Sequence, residues 1–99
     1  MEKPQYSEFA ENIHTKFRVV RDVEESLELE LVGVTDPTRK GPYEHFALEF
    51  RGPKQPILAQ QTYALEHDRM GDISIFLVPI RGDENAVYYA AIFNRLLKT

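Results

Sequence analysis

Ile73-Ser74-Ile75-Phe76-Leu77-Val78-Pro79-Ile80, then Gly82-Asp83-Glu84-Asn85, then Val87-Tyr88-Tyr89-Ala90-Ala91-Ile92-Phe93 is the pattern of a β-hairpin. Two runs rich in β-branched and aromatic residues flank a cluster of turn formers. The stretch Ile73–Val78 is apolar on both faces for most of its length, which predicts a central strand covered on both sides. Pro79 has no N–H to give, so pairing is expected to fail on at least one side there.

The same two-residue period continues toward the N-terminus. Tyr63, Leu65 and His67 share a face opposite Ala64, Glu66 and Asp68, and Asp68 to Asp72 around Gly71 forms a tight hairpin. Phe46, Leu48 and Phe50 alternate with Ala47, Glu49 and Arg51, while Leu27, Leu29 and Leu31 alternate with Glu28 and Glu30. Gly33 interrupts that alternation and suggests a bulge. Phe17-Arg18-Val19-Val20 opens the sheet. Asp36-Pro37, Gly41-Pro42 and Gly52-Pro53 with Pro56 mark loops, and each glycine reads as a turn or bulge. Only the N-terminus has helical spacing: Tyr6, Phe9 and Ile13 stand at i, i+3 and i+7, with Pro4 or Ser7 placed to start two to three turns. So short a helix must dock its apolar stripe on the sheet, plugging one end of a barrel. The expectation is one mainly β domain over residues 1–99, with a short N-terminal α-helix in 1–15 and an antiparallel sheet in 16–95. About six strands would run as a meander and close into a small barrel or sandwich.

Composition fits one domain with one core: 99 residues, 42% hydrophobic, 28% charged. That balance excludes disorder and collagen-like repeats. With no cysteine there is no disulfide framework, thiolate metal site or cysteine nucleophile. The first residues lack the apolar core of a signal peptide, and the run Ile75–Ile80 is far too short for a membrane helix. The expected address is cytoplasmic, with no membrane partner. A formal charge of −4 disfavours nucleic acid as a partner.

Catalytic constellations are missing from the sequence. Neighbours on a strand point to opposite faces, so neither Glu44-His45 nor His67-Asp68 is a preformed dyad. His67 is the histidine to watch: its expected role is to cap a hairpin backbone group, with a functional role as the minor alternative. His45 is expected in solvent and His14 at the helix C-terminus. No HExxH, GxSxG or glycine-rich phosphate loop occurs, so no metal, cofactor or catalytic residue is assigned. The acids Asp22, Glu24, Glu25, Glu28, Glu30 and Asp36 lack the spacing of a calcium loop and read as a solvated edge strand. Arg51, Lys54 and Arg81 fall at one end of a meander, where they form a candidate anion or partner site, diluted by Asp83 and Glu84. Tyr88 and Tyr89 point to opposite faces. Burial of both is the favoured reading; the other is an exposed tyrosine beside Ile92 as a candidate interface.

Phe46-Ala47-Leu48-Glu49-Phe50-Arg51-Gly52-Pro53 joins Gln61-Thr62-Tyr63-Ala64-Leu65-Glu66-His67, Phe76-Leu77-Val78-Pro79-Ile80 and Tyr89-Ala90-Ala91-Ile92-Phe93-Asn94 in a combination that resembles a family of small bacterial domains of unknown function. The resemblance is specific in the second half of the chain and loose in the first. It implies a short, stand-alone, mostly β protein with no activity or cofactor to carry over, and an association with phage-tail-like components. The functional expectation is a non-catalytic protein-interaction or assembly module, not an enzyme, with a protein partner or homo-oligomer. A small-ligand or anion-binding barrel using Arg51, Lys54 and Arg81 is the alternative, and an enzyme built on His67 and Tyr63 comes third.

Overall fold

Alternating burial organises every long strand of the computed structural model, which describes residues 6–20 and 27–96. Phe46, Leu48 and Phe50 turn inward from β4 (Tyr43–Pro53), as do Leu27, Leu29 and Leu31 from β2 (Leu27–Val34). Leu65 and His67 do so from β5 (Gln61–His67), and Ile73, Ile75 and Leu77 from β6 (Gly71–Gly82). Val87, Tyr89 and Ala91 of β7 (Ala86–Leu96) and Phe17 and Val19 of β1 (Lys16–Val19) complete the core. A sheet with one apolar face hides it most completely by closing on itself, which also leaves it few free edges. The ring runs β1-β2-β4-β7-β6-β5, every pairing antiparallel, and β5 returns to β1. A short seventh strand, β3 (Thr38–Lys40), pairs with the start of β4 outside the ring. The molecule is thus a closed six-stranded antiparallel barrel with one extra strand and a short helix.

Both ends of the barrel are filled. In α1 (Tyr6–Ala10), Phe9 is completely buried against Phe46 and Phe93, with ring centroids 6.2 and 5.2 Å away. At the other end, residues 54–60 must cross the barrel mouth, because β4 and β5 stand opposite each other in the ring. Leu58 drops from this crossing into the core, and its N–H donates to the Tyr89 hydroxyl at 2.9 Å. Gly52 makes room for that arrangement: a Cβ there would lie 2.6 Å from Leu29 Cδ2 and 3.3 Å from Tyr89 Cε1.

Several expectations are corrected. The strands form no simple meander, because β7 pairs with β4 along its whole length and forces the crossing of residues 54–60. Ile73–Val78 is not covered on both faces: Ser74 and Phe76 are exposed, since no described residue packs outside the barrel wall at these positions. The leucine-glutamate strand β2 is no edge; it lies between β1 and β4, and β3 forms the edge instead. Gly52 and Pro53 do not turn the chain but pair with Val87 and Ala86, so this glycine serves packing. The helix is a single five-residue turn, and Ile13 packs from the segment after it. The bulge in β2 falls between Leu31 and Gly33 as expected. Pro4, Asp22, Glu24 and Glu25 lie outside the described residues.

Candidate functional site

The outer faces of β4 and β7 form one wall, which β6 joins along Val78–Gly82. In the β4–β7 ladder Arg51 lies opposite Tyr88, Glu49 opposite Ala90 and Ala47 opposite Ile92. In the β6–β7 ladder Val78 faces Ala90, but a register shift between Pro79 and Arg81 inserts Ile80 as an extra residue. An unbroken register would place Ile80 opposite Tyr88 and turn Arg81 inward. The bulge instead brings Arg81 opposite Tyr88, re-aiming a side chain as bulges do. Two residues far apart in the chain, Arg51 and Arg81, therefore flank one tyrosine.

Charge on this wall is tightly arranged. Arg81 donates to both Glu49 carboxylate oxygens, at 2.8 and 3.0 Å, and its guanidinium carbon lies 4.2 Å from the centre of the Tyr88 ring. Hydrogen bonding from Arg81, aided by its charge and opposed by partial burial, holds the Glu49 carboxyl below its usual range. The same hydrogen bond raises the Arg81 guanidinium above its ordinary value. Asp83 is also held low, because its carboxylate accepts from the backbone N–H groups of Asn85 and Ala86, with Arg51 and Arg81 assisting by charge. Lys54 sits exposed at the start of the crossing segment. Tyr89 is buried and does not join the wall.

Beside these polar groups stand large apolar side chains in water. Ile92 is 75% exposed, Phe76 48% and Ile80 47%. Of these, only Ile92 figured in the sequence reading of an interface. Phe76 and Ile80 belong to the most hydrophobic run of the chain, and hydropathy alone assigns such a run to the core.

His67 is at the opposite end of the barrel, where it caps the β5–β6 turn. Its Nδ1 accepts from the N–H groups of Arg69 and Met70, at 3.0 and 3.1 Å, across the β5–β6 turn. That fixes the proton on Nε2, which lies 2.8 Å from Thr15 Oγ1; the hydroxyl in turn donates to the Asn12 carbonyl. The ring lies against Phe17, centroids 4.3 Å apart. Burial lowers the pKa of His67; Arg18 and Arg69 push the same way, against the pull of Asp68. Tyr63 does not approach it but donates to the Ala59 carbonyl at the far end of the strand. His45 is half-buried on β4, and His14, at φ 70° after the helix, meets Glu30 at 3.5 Å. Among the described residues no group of three or more His, Asp or Glu side chains is placed to hold a metal ion.

An open groove of about 430 Å³ runs beside the crossing segment, lined by Val20, Ile57, Leu58, Gln61, Thr62 and Tyr63 among others. It contains none of the three basic candidates.

A small closed β-barrel with a mixed apolar and arginine-tyrosine wall is the class of protein these features define. The chain belongs to the DUF6916 family, a domain of unknown function whose profile matches residues 4–93. No curated protein and no solved structure matches the chain. Among the described residues no helix is long and apolar enough to cross a membrane.

Proposed function

We propose that this domain is a non-catalytic protein-interaction or assembly module whose contact surface is the outer wall of β4, β7 and β6. The observation that carries this reading is the exposure of Phe76, Ile80 and Ile92 beside Tyr88 and its two arginines. Protein interfaces favour an apolar centre with tyrosine and arginine, because these bury large areas at low entropy cost and keep a polar handle. Contiguous exposed apolar side chains on a folded domain mark contact sites. The Glu49–Arg81–Tyr88 cluster supplies a pre-ordered polar margin to that centre.

The test uses the full chain, captured from its own host's lysate and weighed by native mass spectrometry. A stoichiometric protein partner is expected with the wild-type chain, and its loss with Ile92→Glu or Tyr88→Glu, both of which retain the wild-type melting temperature within a few degrees. A partner retained by both variants removes this wall from consideration. A second reading, small-ligand binding, rests on the groove beside Ile57 and Tyr63, whose volume lies within the range of ligand sites. There the lysate-purified protein would carry a small-molecule mass that Ile57→Asp abolishes.

A further inference from the structure

The barrel wall contains a seam. β7 pairs with β4 over its full length, Ala86 to Leu96, but its ladder with β6 runs only from Val87 to Ala90. β6 pairs with β5 from Gly71 to Leu77 and with β7 only from Val78 onward. Residues 91–96 of β7 and 71–77 of β6 thus form two lips, each paired on its far side and open on the side that faces the other. In an antiparallel strand alternate residues direct both N–H and C=O to the same side. Each lip therefore offers a row of main-chain donors and acceptors with no ladder partner among the described residues.

These lips carry few of the usual protections, Asp72 and Arg95 being their charged residues. Edge strands are commonly guarded by lysine or proline, or kept very short. Neither lysine nor proline occurs from Ile73 to Leu77 or from Ala91 to Leu96. The outer rims carry Phe76 and Ile92, both substantially exposed, and the inner sides carry Ile75, Ala91 and Phe93.

We propose that the seam receives an extended peptide segment of a partner protein as an added β-strand lying along Ala91–Leu96. This rests on the interaction reading above and specifies the form of the partner. Two facing lips decide between occupants. A strand already built into a sheet, as in a second copy of this chain, has one free edge and satisfies one lip. A free segment in extended form has two free edges and satisfies both. Its side chains alternate between the core side, at Ile75 and Phe93, and the outer side, at Phe76 and Ile92. The fitting sequence is therefore apolar at alternate positions, with at least one apolar residue between them.

The probe is a set of nine-residue peptides selected from a displayed random library against the full chain, with affinity measured by calorimetry and amide exchange by NMR. The expected result is exchange slowed at least tenfold at alternate residues of 91–96. Methylating the peptide's main-chain nitrogens at alternate positions should weaken binding at least tenfold, and at the intervening positions little. Phe76→Ser combined with Ile92→Ser should also weaken it. Three results overturn strand addition: the alternate amides of 91–96 that face β6 rather than β4 already protected in the peptide-free protein, binding indifferent to N-methylation, or no selectable peptide. Protection that appears only with protein concentration assigns the edge to a second copy and overturns it too. If strand addition fails while Tyr88→Glu still dissociates a native partner, the interaction module stands without it; if both fail, both readings fall.

Discussion

Gly52 has a β conformation that any residue can adopt, yet the space around it admits no side chain. A methyl group would collide with Leu29 and crowd the Tyr89 ring. Gly52→Ala should therefore cost about 1–3 kcal/mol of overpacking strain, read as a lower urea midpoint with unchanged slope. His67 illustrates a different residue-scale constraint. Protonating Nδ1 would point a proton at the two N–H groups it now accepts from, and burial already lowers its pKa below the ordinary 6.5. The unfolded chain thus takes up this proton at higher pH than the folded one. The contribution to stability is complete above pH 6.5 and declines as pH falls from there toward the lowered folded value. Urea unfolding at pH 7.5 and 5.5 should show that decline in the wild-type protein. His67→Gln should be less stable at pH 7.5 and lack this component. The hairpin-capping role was legible because His67 ends an alternating strand before a tight turn. The bond to Thr15 was not, since nothing local links residues 52 positions apart.

At the scale of elements, alternation was readable wherever one face of a strand is wet, as in Leu27–Leu31 and Phe46–Phe50. Pairing order was harder to read. Turn chemistry fixes which neighbours form hairpins, but the long β4–β7 ladder joins strands separated by two others in sequence, and only the packed core selects it. The same gap explains Phe76, whose hydrophobicity suggested burial although its outward position was already set by the alternation Ile73-Ile75-Leu77. The bulge at Ile80 was equally hidden, and with it the meeting of Arg51, Tyr88 and Arg81. The crossing segment 54–60 makes a testable element-scale case. Tyr89→Phe leaves the buried Leu58 N–H without its acceptor and should cost about 1–3 kcal/mol. Calorimetry of the variant measures this, and an unchanged melting temperature would show that the crossing does not depend on that bond.

For the whole molecule, the ring divides into two consecutive arcs: β1, β2 and β4 from the first half of the chain, and β7, β6 and β5 from the second. The two arcs meet twice, very unequally. Between β4 and β7 the ladder runs unbroken from Tyr43 to Pro53. Among the described residues, between β1 and β5 it holds at Arg18–Glu66 and Val19–Leu65, with one further bond from Val20 N–H to the Ala64 carbonyl. The barrel is hinged like a book, with a long spine and a small clasp. Opening the clasp sacrifices few hydrogen bonds, whereas parting the spine destroys the sheet. Amide exchange in the native state should accordingly release the β1–β5 contacts well before those of β4–β7. The covers would swing apart around an intact spine, so a cut within residues 54–60 leaves two halves, each a complete arc, that still share their longest common edge.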